Sequence, residues 1–159
     1  MDIKCREIKI VPVSQLKMKP GNRNHHPDEQ IKALAKQFKY QGFRNPLIVS
    51  NQSGEIVCGN GRYLAASIAG LTELPVIYQD FESPEQEYAY HVADNSLHDW
   101  AQLDLSGINE DIMDMGPDFD IDMLGIKDFV LEPAEKYESQ EQQKEKKENL
   151  CSRCKEEIT

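Results

Sequence analysis

The four residues Gly59-Asn60-Gly61-Arg62 concentrate more binding chemistry than any other stretch of the chain. They follow an apolar run ending at Cys58 and precede RYLAASIA, which reads as helix, so a strand hands over to a helix there. Free N–H groups at a helix start carry partial positive charge, and glycine lets another group approach the backbone closely. A guanidinium binds phosphate oxygens in bidentate fashion. Together these features make an anion cradle; on their own the four residues also read as a tight turn with a surface arginine.

Three further groups carry chemistry. Arg23, His25 and His26 sit in one polar loop, where they offer phosphate contacts or a proton acceptor for phosphodiester cleavage; alternatively His26-Pro27 starts a helix and Arg23 is merely solvated. Asp94-Asn95, within VADNSLHDW, offers oxygen ligands to Mg²⁺, or else ends a helix and caps a neighbour. Cys151 and Cys154 form a CxxC, half of a tetrahedral zinc site, whose remaining ligands would come from a second chain or from Cys5 with a histidine; a metal-free tail is the alternative. Cys58 reads as a small buried strand residue.

The elements that must position these groups follow from periodicity. EIKIVPV, Glu7 to Val13, alternates as an opening strand, and Pro12 favours an edge. Ile31, Leu34, Ala35 and Phe38 recur at helical spacing behind Pro27, and Gly42 suits the C-terminal cap. PLIVS and Glu55 to Cys58 flank the turn NQSG as a hairpin. A helix is expected from Arg62 to Gly70, then a strand at Leu74 to Tyr78. Ser83-Pro84-Glu85-Gln86 has the form of a capping box opening the helix that carries Asp94. Trp100, Tyr88 and Tyr90 are expected to pack between elements. Beyond Trp100, Leu103, Leu105, Ile108, Ile112, Met113 and Met115 suggest a short amphipathic helix under heavy acid loading, and FDIDMLGI alternates apolar and acidic residues as a small strand or a docking peptide.

The chain of 159 residues has room for one ordinary domain and a tail. Its net charge of -10 is divided unevenly: Met1 to Asp80 holds 11 Lys and Arg against 7 Asp and Glu, a balance of +4, and the remainder is -14. An anion is drawn to the first part and repelled by the second. No run approaches a membrane span and the N-terminus has no signal-peptide pattern, so a cytoplasmic location is expected, that of the host cell if the gene is phage-borne. From residue 132 the composition, EPAEKYESQEQQKEKKEN, offers almost nothing apolar to bury and reads as disordered. The expected divisions are 1–99, a folded α+β domain; 100–131, an acidic helical extension; 132–150, a charged linker; and 151–159, the CxxC tail.

Residues 1–99 resemble the N-terminal domain of the ParB/sulfiredoxin superfamily in its phage-type form, the ParB-like nuclease domain. The segments that carry the resemblance are the opening strand, NRNHHPDEQIKALAKQFKYQGFRNPLIV, GEIVCGNGRYLAASIAGLTELPVI and VADNSL. It implies a small mixed sheet with packed helices and a pocket for a CTP- or ATP-type nucleoside triphosphate with Mg²⁺. The family's phosphate turn falls on Gly59, Asn60, Gly61 and Arg62, its base-side segment on Gly42 to Pro46 including Asn45, and its acidic-amide segment on Asp94 and Asn95. Glycine stands at 61 where partition proteins keep an arginine, and His98 where they keep a later one. Cys58 precedes the turn, outside the place of the catalytic cysteine of sulfiredoxin.

The resemblance implies a nucleotide-dependent switch or adaptor in phage or mobile-element DNA metabolism, DNA modification included, with DNA or a DNA-processing protein as partner and oligomerisation open. Two alternatives stand beside it: a metal-dependent nuclease or nucleotide hydrolase using His25 and Asp94, and a non-catalytic interaction module with an acidic docking surface. The segment Asp99 to Leu131 shows no helix-turn-helix pattern and resembles the region C-terminal to this domain in phage proteins linked to DNA methyltransferases.

Overall fold

The computed structural model describes residues 3–5 and 7–131. Cys151, Cys154 and the charged stretch 132–150 lie outside the described residues. Two compact units are present: residues 3–103 with Asp122–Gly125, and Asp104–Ile121 with 126–131.

The first unit is built on a four-stranded mixed sheet. Strands β1 (Lys9–Pro12), β2 (Leu47–Ser50), β3 (Ile56–Cys58) and β4 (Glu73–Gln79) lie in the order β1-β4-β2-β3. β1 pairs antiparallel with β4, β4 parallel with β2, and β2 antiparallel with β3, giving the expected hairpin. β1 is an edge strand, where Pro12 removes no ladder donor. At the other edge the Ile56 N–H donates to the Lys17 carbonyl at 2.8 Å, so the loop after β1 covers β3.

Helix α1 (Asp28–Gln41) follows Pro27 and ends at Gly42, whose φ of 79° only glycine takes without strain. It buries Ile31 and Ala35 against Ala65 of α2 (Asn60–Ala69), with Leu34 and Phe38 half-buried alongside. One sheet face supplies Val11, Leu47, Val49, Leu74 and Val76 to the core, and Ala66 of α2 packs there with no exposed surface. The small alanines of α2 let it pack closely on both the sheet and α1. Helix α3 (Pro84–His98) packs beside β3, and its N-cap Ser83 side chain accepts the Gln86 N–H as a capping box requires. The Gln86 side chain reaches back one residue further, to the Glu82 N–H at 2.7 Å.

Helix α4 (Leu105–Met115) begins the second unit, capped by Asp104, with Asn109 and Ile112 buried. FDIDMLGI forms no strand among the described residues; it makes a 3₁₀ turn, Ile121–Leu124. Lys36 of α1 lies 3.2 Å from the Asp122 carboxylate of this turn, and Gln37 donates to the Met123 carbonyl. Trp100 departs from expectation: it is 78% exposed, and Tyr88 is exposed as well. Only Tyr90 of the three packs as an aromatic, 5.5 Å from the Phe81 ring. Helix α3 ends at His98, so Trp100 falls in the turn that follows it.

Glu87 of α3 is buried and gathers three segments. Lys19 Nζ donates to its Oε1 at 2.9 Å and Ser53 Oγ at 3.1 Å, tying the loop before α1 and the β2–β3 turn to α3. Burial opposes the charge, but hydrogen bonds from Ser50, Lys19 and Ser53 outweigh it and hold the carboxyl below its ordinary range. A depressed folded-state pKa stabilises the fold above the unfolded value, about 4.3, and that gain disappears as pH falls through the lower folded value. Glu87→Gln is therefore expected to lower the unfolding free energy by about 2 kcal/mol at neutral pH. Urea unfolding should show the gap between wild type and variant closing on acidification; a pH-independent gap would contradict this account.

Candidate functional site

The site begins with the backbone of Gly59. Its φ of 100° and ψ of 25° make it a left-handed N-cap, so α2 starts at Asn60, two residues before the expected Arg62. A Cβ at Gly59 would stand 2.6 Å from Leu47 Cδ2 and 3.0 Å from Arg62 Nε, which leaves room for glycine alone. Gly59 offers no side chain to cap the helix, so the first-turn N–H groups of α2 remain for another acceptor. Gly59, Asn60, Gly61 and Arg62 all line a cavity of about 530 Å³.

Arg62 ties the walls of that cavity together. Its Nη1 donates to the Asn45 carbonyl at 2.9 Å and the Pro46 carbonyl at 3.1 Å, and Nη2 to Cys58 Sγ at 3.3 Å. Three of the five guanidinium N–H groups are thereby engaged, which leaves the Nε–H and one Nη2–H without a protein acceptor among the described residues.

Cys58 is buried at the end of β3, as expected of a small strand residue, but its thiol also serves as a polar link. It donates to Asp94 Oδ2 at 2.7 Å, joining β3 to α3. Burial, with the Asp94 hydrogen bond and charge, pushes the Cys58 thiol up to about 12 against the opposing pull of Arg62. A neutral thiol is a poor nucleophile. Asn60 is buried with its Oδ1 unpartnered while Nδ2 reaches the Ile56 carbonyl at 3.4 Å. An acceptor left so in a cavity wall calls for a donor or a cation from the ligand side.

The loop before α1 alternates. Asn22, Asn24 and His26 line the cavity, and Arg23 and His25 between them are exposed. Asn24 Nδ2 donates to Asn95 Oδ1 at 2.6 Å, and Asn95 Nδ2 to the His91 carbonyl at 2.8 Å. His91 itself is buried, with Nδ1 2.6 Å from the Val57 carbonyl and Nε2 3.1 Å from Asn22 Oδ1. His26 packs over Gly61, where an added Cβ would meet its Cε1 at 2.9 Å, and its Nδ1 lies 3.0 Å from Gln30 Oε1.

The structure thus brings Asn45, Gly59, Asn60, Gly61, Arg62, Asp94 and Asn95 to one cavity. Pro46 contributes its carbonyl to Arg62, and Gly42 lines a neighbouring hollow. Arg23 faces a smaller hollow of about 210 Å³, and His25 lines neither. Asn22, Asn24 and His91 join the site unheralded by the motifs, and His26 joins it in preference to His25. For the loop residues the signal was parity: in an extended loop alternate residues share a side, and the Asn-x-Asn-x-His spacing places Asn22, Asn24 and His26 together. His91, seven residues before His98 on α3, had no local signal.

A mixed sheet with a glycine turn opening a helix onto a polar cavity defines an α+β domain whose pocket suits an anionic ligand. The chain belongs to the ParB N-terminal domain family, which matches residues 2–95. The ParB-like nuclease domain-containing protein YnaK of Escherichia coli is 32% identical over 83 residues, which cover 51% of this chain and 94% of that protein. A probable chromosome 2-partitioning protein ParB of Deinococcus radiodurans is 34% identical over 98 residues, 60% of this chain but 33% of that protein. The fold is shared with the C-terminally truncated chromosome-partitioning protein ParB from Caulobacter crescentus complexed with CTP-gamma-S. The TM-score is 0.59 and the identity 21%, over 68% of this chain and 62% of that one. Among the described residues no helix is long and apolar enough to cross a membrane.

This geometry sets three expected outcomes. Gly59→Ala should destabilise the fold by about 3 kcal/mol in chemical denaturation, since left-handed backbone and contact with Leu47 add; a loss below about 1 kcal/mol would sink the steric account. In the native protein, iodoacetamide should label the exposed Cys5 at neutral pH and spare Cys58, as read by peptide mass mapping. Asp94→Asn should raise Cys58 labelling, because both effects of Asp94 on the thiol favour the proton.

Proposed function

We propose that this chain is a ParB-like nucleoside triphosphate-binding protein that acts as a switch or adaptor in the DNA metabolism of a phage or mobile element. The observation that carries the reading is the convergence of an uncapped helix start, the remaining Arg62 donors and a cluster of amide and imidazole side chains on one cavity. In this reading the first-turn N–H groups of α2 and the Arg62 Nε edge receive phosphate oxygens. His26 takes the place beside Gly61 that a second cationic side chain would need. Asn24 and Asn95 hold the loop and α3 together at the mouth, and Gly42 to Pro46 lies on the base side.

Mg²⁺ fits the donors present. Asp94 supplies a carboxylate and Asn60 an unpartnered carbonyl oxygen, both hard ligands on one cavity. Among the described residues no three His, Cys, Asp or Glu side chains form a metal cluster, so phosphate oxygens would complete the ion's shell. Bound there, the ion would offset phosphate charge. Asp94 would then exchange its bond to the Cys58 thiol for the cation.

A nuclease pairing of His25 with Asp94 draws no support from the geometry, since His25 is exposed and lines no part of the cavity that Asp94 lines. Partners at DNA remain part of the proposal through the family.

Calorimetric titration with CTP, ATP, GTP and UTP in the presence of Mg²⁺ tests the reading. One nucleotide is expected to bind, and Arg62→Ala to weaken it by about tenfold or more. Arg62→Lys should not restore it, because the guanidinium presents donors on three separate nitrogens in a planar fork, which a single ammonium nitrogen does not reproduce. No binding of any nucleotide by the wild type would end the proposal.

A further inference from the structure

A second hollow, of about 590 Å³, adjoins the phosphate cavity and shares Gln30, Leu34, Asn45 and Arg62 with it. One side is α1 with the Gly42 turn; the other is Met123, Leu124 and Gly125, about eighty residues further along the chain. This segment is fastened to α1 at two successive residues, by the Lys36–Asp122 ion pair and by the Gln37 carboxamide donating to the Met123 carbonyl. Gly125 turns the chain away with φ 68°.

The two hollows differ in chemistry. The first holds the helix start and the imidazoles; the second is lined by Leu34, Phe38, Met123 and Leu124, by the carboxamides of Gln37 and Gln41 and by the Arg44 guanidinium, with no carboxylate among them. Apolar side chains interspersed with amides and a guanidinium suit a flat heteroaromatic ring, whose faces want dispersion or cation contacts and whose rim both donates and accepts. A nucleotide has such a ring at one end and its charge at the other, and Arg62 stands between the two hollows.

We propose that Asp122–Gly125 is a strap that forms the outer wall of a nucleobase subsite continuous with the phosphate cavity. Base and strap then hold one another in place. The inference rests on the nucleotide reading above and goes beyond it by assigning the base a contact outside the ParB N-terminal domain match, which ends at residue 95. The strap is also the only described stretch beyond Leu103 that belongs to the first unit, so its docking gives the ligand a handle on later sequence.

The test compares the tightest-binding nucleoside triphosphate with inorganic tripolyphosphate, which has the charge and lacks the base. In the full-length chain, the double variant Met123→Ala/Leu124→Ala should lose about tenfold in affinity for the nucleotide and keep its affinity for tripolyphosphate. In the wild type, hydrogen exchange of a peptide spanning 119–126 should slow on adding the nucleotide and stay unchanged with tripolyphosphate. Nucleotide affinity unchanged in the variant, or exchange in 119–126 indifferent to the nucleotide, overturns the strap. Should the variant unfold, the wild-type exchange result decides. If the wild type binds neither ligand, the phosphate reading has failed and the strap with it, a pattern distinct from tight nucleotide binding that ignores the strap.

Discussion

The left-handed backbone at Gly59 is the constraint from which the rest of the site descends. With φ at 100°, β3 stops at Cys58 and α2 starts at once, so the helix N-terminus opens beside the end of the sheet. Leu47 fills the space a side chain would take, which couples that turn to the core of β2. Arg62, in the first turn of the helix, is then within reach of the carbonyls that lead into β2 and of the thiol that ends β3. A turn placed elsewhere would scatter all three.

Around that turn, polar side chains take the part that apolar packing plays beneath the sheet. The loop before α1 buries Leu16 and packs Met18 against the core, and beyond them it is held by Asn24 to Asn95, His91 to Asn22, and Lys19 to Glu87. Each link runs between the loop and α3, so hydrogen bonds fix these two cavity walls to each other. Such bonds are directional, which suits a site whose amides must face a ligand. Cys58 belongs to the same scheme: its proton is retained by burial and by Asp94, and it serves as a donor rather than a nucleophile.

The acidic later sequence has two structural fates. α4 forms its own amphipathic turn sequence in the second unit, while Asp122–Gly125 returns to α1. Alternating acid and apolar residues read ambiguously because Asp122 and Met123 act through different groups, a carboxylate with Lys36 and a backbone carbonyl with Gln37. Side-chain type predicts the first contact and is silent on the second.

Much of the frame was legible in sequence. Helix α1 announced itself by its period and by Gly42, the hairpin by NQSG, α3 by its capping box, and the β3-to-α2 turn by two glycines at a strand-to-helix change. These are local signals, set by backbone sterics and by which face of an element is apolar, and they need no knowledge of the rest of the chain. The partners within the cavity were a different matter. That His26 rather than His25 faces Gly61, that Cys58 bonds across to Asp94, that buried His91 anchors Asn22, and that Met123 lies against α1 depend on contacts between residues up to 86 positions apart. Such contacts are chosen by the packing of β3, α1 and α3 together, where a side chain's neighbours are set by three-dimensional distance; a linear sequence carries no term for that.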